Sequence, residues 1–122
     1  MSKEFVPYQP SLDMKELGFD ERCMGHYWEG LFYYQTTHSH PSTMPNSIES
    51  CSAPLYQQAF HWFREKYNYN HSIVFTKHPF GTDEYQYMIL LEDDECVEIN
   101  FKTYEEAEDA CINKLIELLK LK

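Results

Sequence analysis

The sequence predicts an α+β fold: a short N-terminal helix and a β-hairpin, then an α-β-β-β-α module whose helices pack on an antiparallel sheet. Three observations predict it. Two apolar stripes at helical spacing, Leu55, Ala59, Trp62 and Phe63, then Ala107, Cys111, Leu115 and Leu118, flank a β-prone stretch. Within that stretch Val97, Ile99 and Phe101 alternate with Cys96, Glu98 and Asn100, the period of two of a sheet with one face on a core. The chain has 122 residues, 43% apolar and 16% aromatic, enough for one core and a single domain over 1–122.

The elements follow in order. After an extended, proline-flanked start, Ser11 caps a short helix that Gly18 ends, with Leu12, Leu17 and Phe19 turned inward. Residues 23–28 and 31–34 are β-prone and separated by Glu29-Gly30, which makes them an aromatic-rich hairpin. Residues 35–51 turn to Thr, His, Ser, Pro and Asn, a composition that cannot offset its ordering entropy by burial. They form a polar loop between the N-terminal unit, 1–34, and the module over 52–122.

The module opens with a helix over 53–67, capped by Ser52, with Pro54 harmless in the first turn and Asn68 and Asn70 as the stop. Strands at 72–77, 85–91 and 96–101 form a meander, joined by a connection holding Pro79, Gly81 and Asp83 and by the turn 92–95. The middle strand is apolar on both faces, Tyr87, Ile89 and Leu91 against Met88 and Leu90. Its second face calls for a cover, either the N-terminal elements or a second subunit in a homodimer. Thr103 and Glu106 make a capping box that satisfies two N–H groups of the last helix. Acidic first turns and Lys114, Lys120 and Lys122 towards the end suit its dipole.

Twenty acidic residues against ten basic ones give a net charge of −10, a field that opposes phosphate and favours a basic protein surface. No apolar run is long enough for a transmembrane helix. The start, residues 1–7, lacks the apolar core of a secretory signal, so a cytoplasmic protein is expected. Cys23, Cys51, Cys96 and Cys111 are widely spaced, without a Cys-x-x-Cys pair, and read as reduced thiols with Cys111 in the core.

Chemistry-bearing patterns are few. His38 and His40, with His26 and Cys51, form the densest ligand group, but they lack the paired spacing of a zinc site. His61, amid the aromatic helix, reads as a packed or rim residue. Cys23 with His26, or Cys51 with His40, has the residue types of a nucleophile pair without a nucleophile elbow or glycine-rich loop beside it. The cluster Glu92-Asp93-Asp94-Glu95 lacks the spacing and central glycine of a calcium loop. No catalytic, cofactor-binding or metal residue is therefore assigned, and no cofactor is expected. Aromatics from Tyr27 to Phe63 could stack bases or anchor a protein, most of them serving the core and the tyrosines reaching the surface.

Two resemblances extend this reading. The order helix, three strands, helix over 52–121 resembles the double-stranded RNA-binding domain, which implies both helices on one sheet face. In that family lysines opening the second helix grip phosphates. The matching positions here are Tyr104, Glu105 and Glu108, so the resemblance implies the fold without the RNA grip. Three further motifs, Leu17-Gly18-Phe19-Asp20-Glu21-x-Cys23, Ala59-Phe60-x-Trp62-Phe63-Arg64-Glu65-Lys66-Tyr67 and Thr103-Tyr104-Glu105-Glu106-Ala107-Glu108-x-Ala110-Cys111, are similar to a group of small uncharacterised proteins of gut bacteria and their tailed phages. That similarity implies a phage or mobile-element accessory protein, in the host cytoplasm or carried in the virion.

The functional expectation is a non-enzymatic protein that binds another protein, a basic or nucleic-acid-binding factor, through an acidic and tyrosine-rich surface. Its candidate residues are Tyr104, Glu105, Glu108 and Asp109 with Glu92, Asp93 and Asp94. One alternative is nucleic-acid binding through Arg64, Lys66, Lys77 and Lys102. A further alternative is a small Cys/His metal protein or enzyme.

Overall fold

The computed structural model describes residues 4–39, 50–77 and 79–121, the side chains of 35–39 excepted. Among these residues the chain is α+β, with three helices and two antiparallel three-stranded sheets. It forms two compact units, Met1–Ala59 and Phe60–Lys122, and the boundary falls within a helix.

In the first unit, α1 (Tyr8–Glu16) starts three residues before the expected cap. Pro7 stands at its N-cap, and Ser11 lies inside the helix, buried, its hydroxyl donating to the Val6 carbonyl at 3.0 Å. The end is as expected: Gly18 takes φ 105°, its N–H reaches Lys15 O, and Phe19 N–H reaches Met14 O. Those two bonds are the glycine-dependent helix stop.

β1 (Cys23–Trp28) and β2 (Leu31–Ser39) form the hairpin, and both turn residues, Glu29 and Gly30, have positive φ, as a two-residue turn with the strands' twist requires. β2 runs on past Tyr34, and β3 (Ser50–Ala53) pairs with the other edge of β1, giving the order β2-β1-β3. Of the polar loop expected over 35–51, residues 35–39 belong to β2 and residues 50–51 to β3, and the remainder lies outside the described residues. Ser50–Ala53 is a strand where the end of the loop, the Ser52 cap and the first helical residue were expected, because β1 offers it a full antiparallel register, Gly25 to Ala53 through Trp28 to Ser50. Phe5, Tyr27, Cys51 and Ala53 form one core cluster of this unit, with Tyr8, Leu12, Phe32 and Leu55 packed against it.

α2 (Tyr56–Tyr67) contains the boundary between the units, and Asn68 at φ 59° ends it. In the second unit β4 (Asn70–Thr76), β5 (Glu84–Leu90) and β6 (Glu95–Phe101) are the expected meander, in the order β4-β5-β6. α3 (Tyr104–Lys120) lies on all three strands. The Phe60 ring of α2 stacks on His71 of β4 at 3.6 Å, on the face that carries Ile73, Tyr87 and Ile89. Both helices therefore meet one sheet face.

The alternation in β6 is opposite to the expectation for two of its three apolar residues. Val97 and Ile99 are each 47% exposed on the outer face with Val74 and Leu90, while Glu98 shares the inner face with Tyr87. A bulge explains this: Tyr87 pairs with Glu98 but Tyr85 with Phe101, so β6 holds one extra residue, and Asn100 takes φ 76°. Phe101 is thereby returned to the inner face and stacks on Tyr87 at 5.9 Å.

Candidate functional site

The meander sorts the candidate residues into two places. Tyr85 pairs with Phe101 and Leu90 with Glu95, so the start of α3 and the 92–94 turn lie at opposite ends of β5. The strand between them spans about 17 Å at roughly 3.4 Å per residue. Tyr104, Glu105, Glu108 and Asp109 are brought together at one end, and Glu92, Asp93 and Asp94 stand at the other. Asp94 also has a structural task, since its carbonyl accepts from Leu91 N–H at 2.8 Å and its carboxylate accepts from Glu95 N–H at 2.7 Å.

At the α3 end, the helix start is set by Thr103, whose Oγ1 accepts from Glu106 N–H at 3.1 Å. The Glu106 carboxylate accepts from the Thr103 hydroxyl at 3.2 Å, so the expected box closes side chain to side chain and not through a second backbone N–H. This geometry fixes Tyr104 as the first helical residue, 43% exposed, with its ring edge-on to Tyr85 at 6.0 Å. Tyr85 in turn packs on Phe75, itself 50% exposed, at 5.0 Å. The result is a row of three rings, Phe75, Tyr85 and Tyr104, that continues the apolar inner face out to solvent.

Carboxylates border this row. Burial first, and then the neighbouring Glu105, raise the pKa of Glu108 from 4.5 to about 7. The Tyr104 phenol is raised by burial and by the charges of Glu108 and Glu105. A cation brought to this end would meet aromatic rings and would favour the charged form of Glu108. Asp109 lies half-buried along the helix, and its carbonyl accepts from the Asn113 amide at 2.9 Å.

Beside the row, residues 79–84 and 100–102 line an open hollow of about 720 Å³ in which Phe80 is fully exposed. Its wall mixes Asp83 and Glu84 with Lys102. In the sequence, 79–83 is the connection between two strands. The signal that could have singled it out was a large apolar residue between Pro79 and Gly81, where nothing local can bury it.

No protein-family model, curated protein or solved structure matches the chain.

The remaining candidates are placed as follows. Cys23 points to the buried face of β1 with Gly25 and Tyr27, whereas His26 points to the other, so strand alternation separates this pair. Burial pushes the thiols of Cys23, Cys51 and Cys111 up to about 12, the direction opposite to nucleophile activation. His40 and the side chain of His38 lie outside what the structure describes. Among the described residues no three His, Cys, Asp or Glu side chains converge as metal ligands, and no helix is long and apolar enough to cross a membrane. Of the basic residues, Arg64 hydrogen-bonds His61 at 3.1 Å and Lys66 sits over the Trp62 and Tyr67 rings at 5.2 and 5.7 Å. Lys77 and Lys102 are exposed just beyond the ends of β4 and β6, and Lys122 lies outside the described residues.

Proposed function

We propose that this chain is a non-enzymatic accessory binding protein of phage or mobile-element origin that engages a basic protein partner through the α3 end of its second unit. The observation that carries the reading is the row Phe75, Tyr85, Tyr104 reaching solvent beside Glu105 and Glu108. Aromatic side chains, rigid and half desolvated already, dominate the energetics of protein interfaces, and arginine pairs well with both ring faces and carboxylates. The net charge of −10 adds long-range attraction for a basic surface, acting mainly on association rate and selectivity. The 92–94 turn belongs to that general field and not to this contact. The phage or mobile-element setting, and action in the bacterial host cytoplasm or in the virion, rest on the three sequence motifs alone.

The test is parallel capture from host cells with the natural chain and with a Tyr104→Ala, Glu105→Gln, Glu108→Gln variant. The expected result is a basic protein held by the natural chain, released by salt and lost by the variant. Retention of the same proteins by both chains would remove the α3 end from the account. A shift of duplex RNA that disappears on changing Lys77 and Lys102 would replace the account with nucleic-acid binding.

A further inference from the structure

We propose that the chain forms a two-fold homodimer in which β4 pairs antiparallel with β4 of a second copy, joining two three-stranded sheets into one continuous sheet. The order β4-β5-β6 places β4 at an edge, so every second residue directs its N–H and C=O away from β5. None of its seven residues is buried, and the edge lies open. What fits such a row of alternating donors and acceptors is another extended strand.

Native edges are normally blunted by charge, proline, bulges or cover. Among the described residues the other edges follow that rule. β6 carries Glu95, Glu98 and the bulge before Phe101. β3 has four residues, all buried, and the pairing of β2 shifts register between Cys23 and Gly25 of β1. β4 has none of these devices: it holds no Asp, Glu, Lys, Arg or Pro, and it pairs with β5 without a shift from Asn70–Leu90 to Thr76–Glu84.

Charge and symmetry select the occupant. Two chains of net charge −10 repel, so they meet where local charge is least, and β4 is the strand of the second unit without a charged residue. A basic or acidic strand finds no counter-charge along it. An uncharged, regular, open strand is what β4 of a second copy offers, and antiparallel pairing of identical strands about a two-fold axis is self-complementary. With Ile73 at the axis all seven residues pair, Ser72 facing Val74 and His71 facing Phe75 of the second copy. Val74, 41% exposed, and Phe75, 50% exposed, thereby gain neighbours on the side turned away from β5. Tyr85 lies on the opposite side of Phe75, so the α3 end stays accessible.

The test is sedimentation velocity of the full chain over a range of protein concentrations, at low and high salt. A reversible monomer–dimer equilibrium is expected, tightened by salt because salt screens the repulsion between the two chains. Contact of the α3 end with a basic partner responds in the opposite sense. Val74→Lys weakens the dimer by on the order of tenfold, since the axis repeats the change. Ser72→Glu added to Val74→Lys restores it, because each glutamate then faces a lysine across the axis, and this rescue guards against loss of fold. Val97→Lys, on the outer face of the same sheet but on β6, and Tyr104→Ala leave the dimer unchanged. A monomer at every concentration, a dimer loosened by salt, loss of the dimer in Val97→Lys, or no rescue by the paired substitution would each overturn the proposal.

Discussion

The ring of Tyr104 meets that of Tyr85 edge-on, with 6.0 Å between centroids and 88° between planes. A residue that opens a helix is thereby tied to the middle strand of the sheet beneath it. The contact orders the ring without burying it, since 43% of Tyr104 remains exposed.

Replacing Tyr104 by alanine should therefore separate stability from binding. The edge-on contact is worth about 0.5–1.5 kcal/mol. Urea unfolding of the variant should show a loss in that range, while capture of the basic partner falls to background. A variant that unfolds at much lower urea would instead make Tyr104 a core residue.

Two groups of the second unit give the stability opposing pH dependences. Glu108, raised from 4.5 to about 7 by burial and by Glu105, holds its proton more tightly when folded, so its contribution is lost as pH rises from about 4.5 through 7. His71, lowered from 6.5 to about 4 by burial and by Arg64, does the reverse, so its contribution is lost as pH falls from about 6.5 through 4. Relative to the natural chain, Glu108→Gln should gain stability as pH rises from 4.5 to 7. His71→Phe, which retains an aromatic ring on Phe60, should gain as pH falls from 6.5 to 4. Urea midpoints across that range check both signs, and parallel profiles for all three chains would contradict them.

Gly25 has no room for a side chain. A methyl group there would stand 2.7 Å from Phe32 Cε1 and 3.1 Å from Phe5 Cε1, inside the first unit's core. Gly25→Ala should destabilise by about 1–3 kcal/mol, the usual result of overpacking, measured by chemical unfolding followed through the first unit's aromatics. An unchanged midpoint would mean that the two phenylalanines shift at no cost.

Thr103→Ala should cost about 1 kcal/mol, because the Glu106 N–H at the start of α3 then loses its side-chain acceptor. Hydrogen exchange at the first turn should rise in step. Thr103→Ser, which keeps the oxygen, should stay close to the natural chain.

Much of this architecture was legible in the residues, for reasons that differ by element. Gly18, the Glu29-Gly30 turn and Thr103 are local signals whose chemistry decides the backbone, and each does what its type implies. Ser50–Ala53 was not legible, because its small and polar residues carry no strand pattern and only the exposed edge of β1 makes them a strand. Val97 and Ile99 misled because a bulge at Asn100 breaks the period of two, and an asparagine, though it tolerates positive φ, does not by itself mark a bulge within a strand. The candidate site was half recoverable. A meander places the 92–94 turn and the entry to α3 at opposite ends, so their separation followed from the strand order already read. The pairing of Phe75 with Tyr85 did not, since it needed the register.

The central claim is that the α3 end is the contact surface, and the footprint of the captured partner on this chain measures it directly. Hydrogen exchange of the complex should slow the amides of Phe75, Tyr85 and residues 104–108, and leave the 92–94 turn and the outer face around Val97 as they are in the free chain. Protection confined to the 92–94 turn or to the Val97 face would contradict the account.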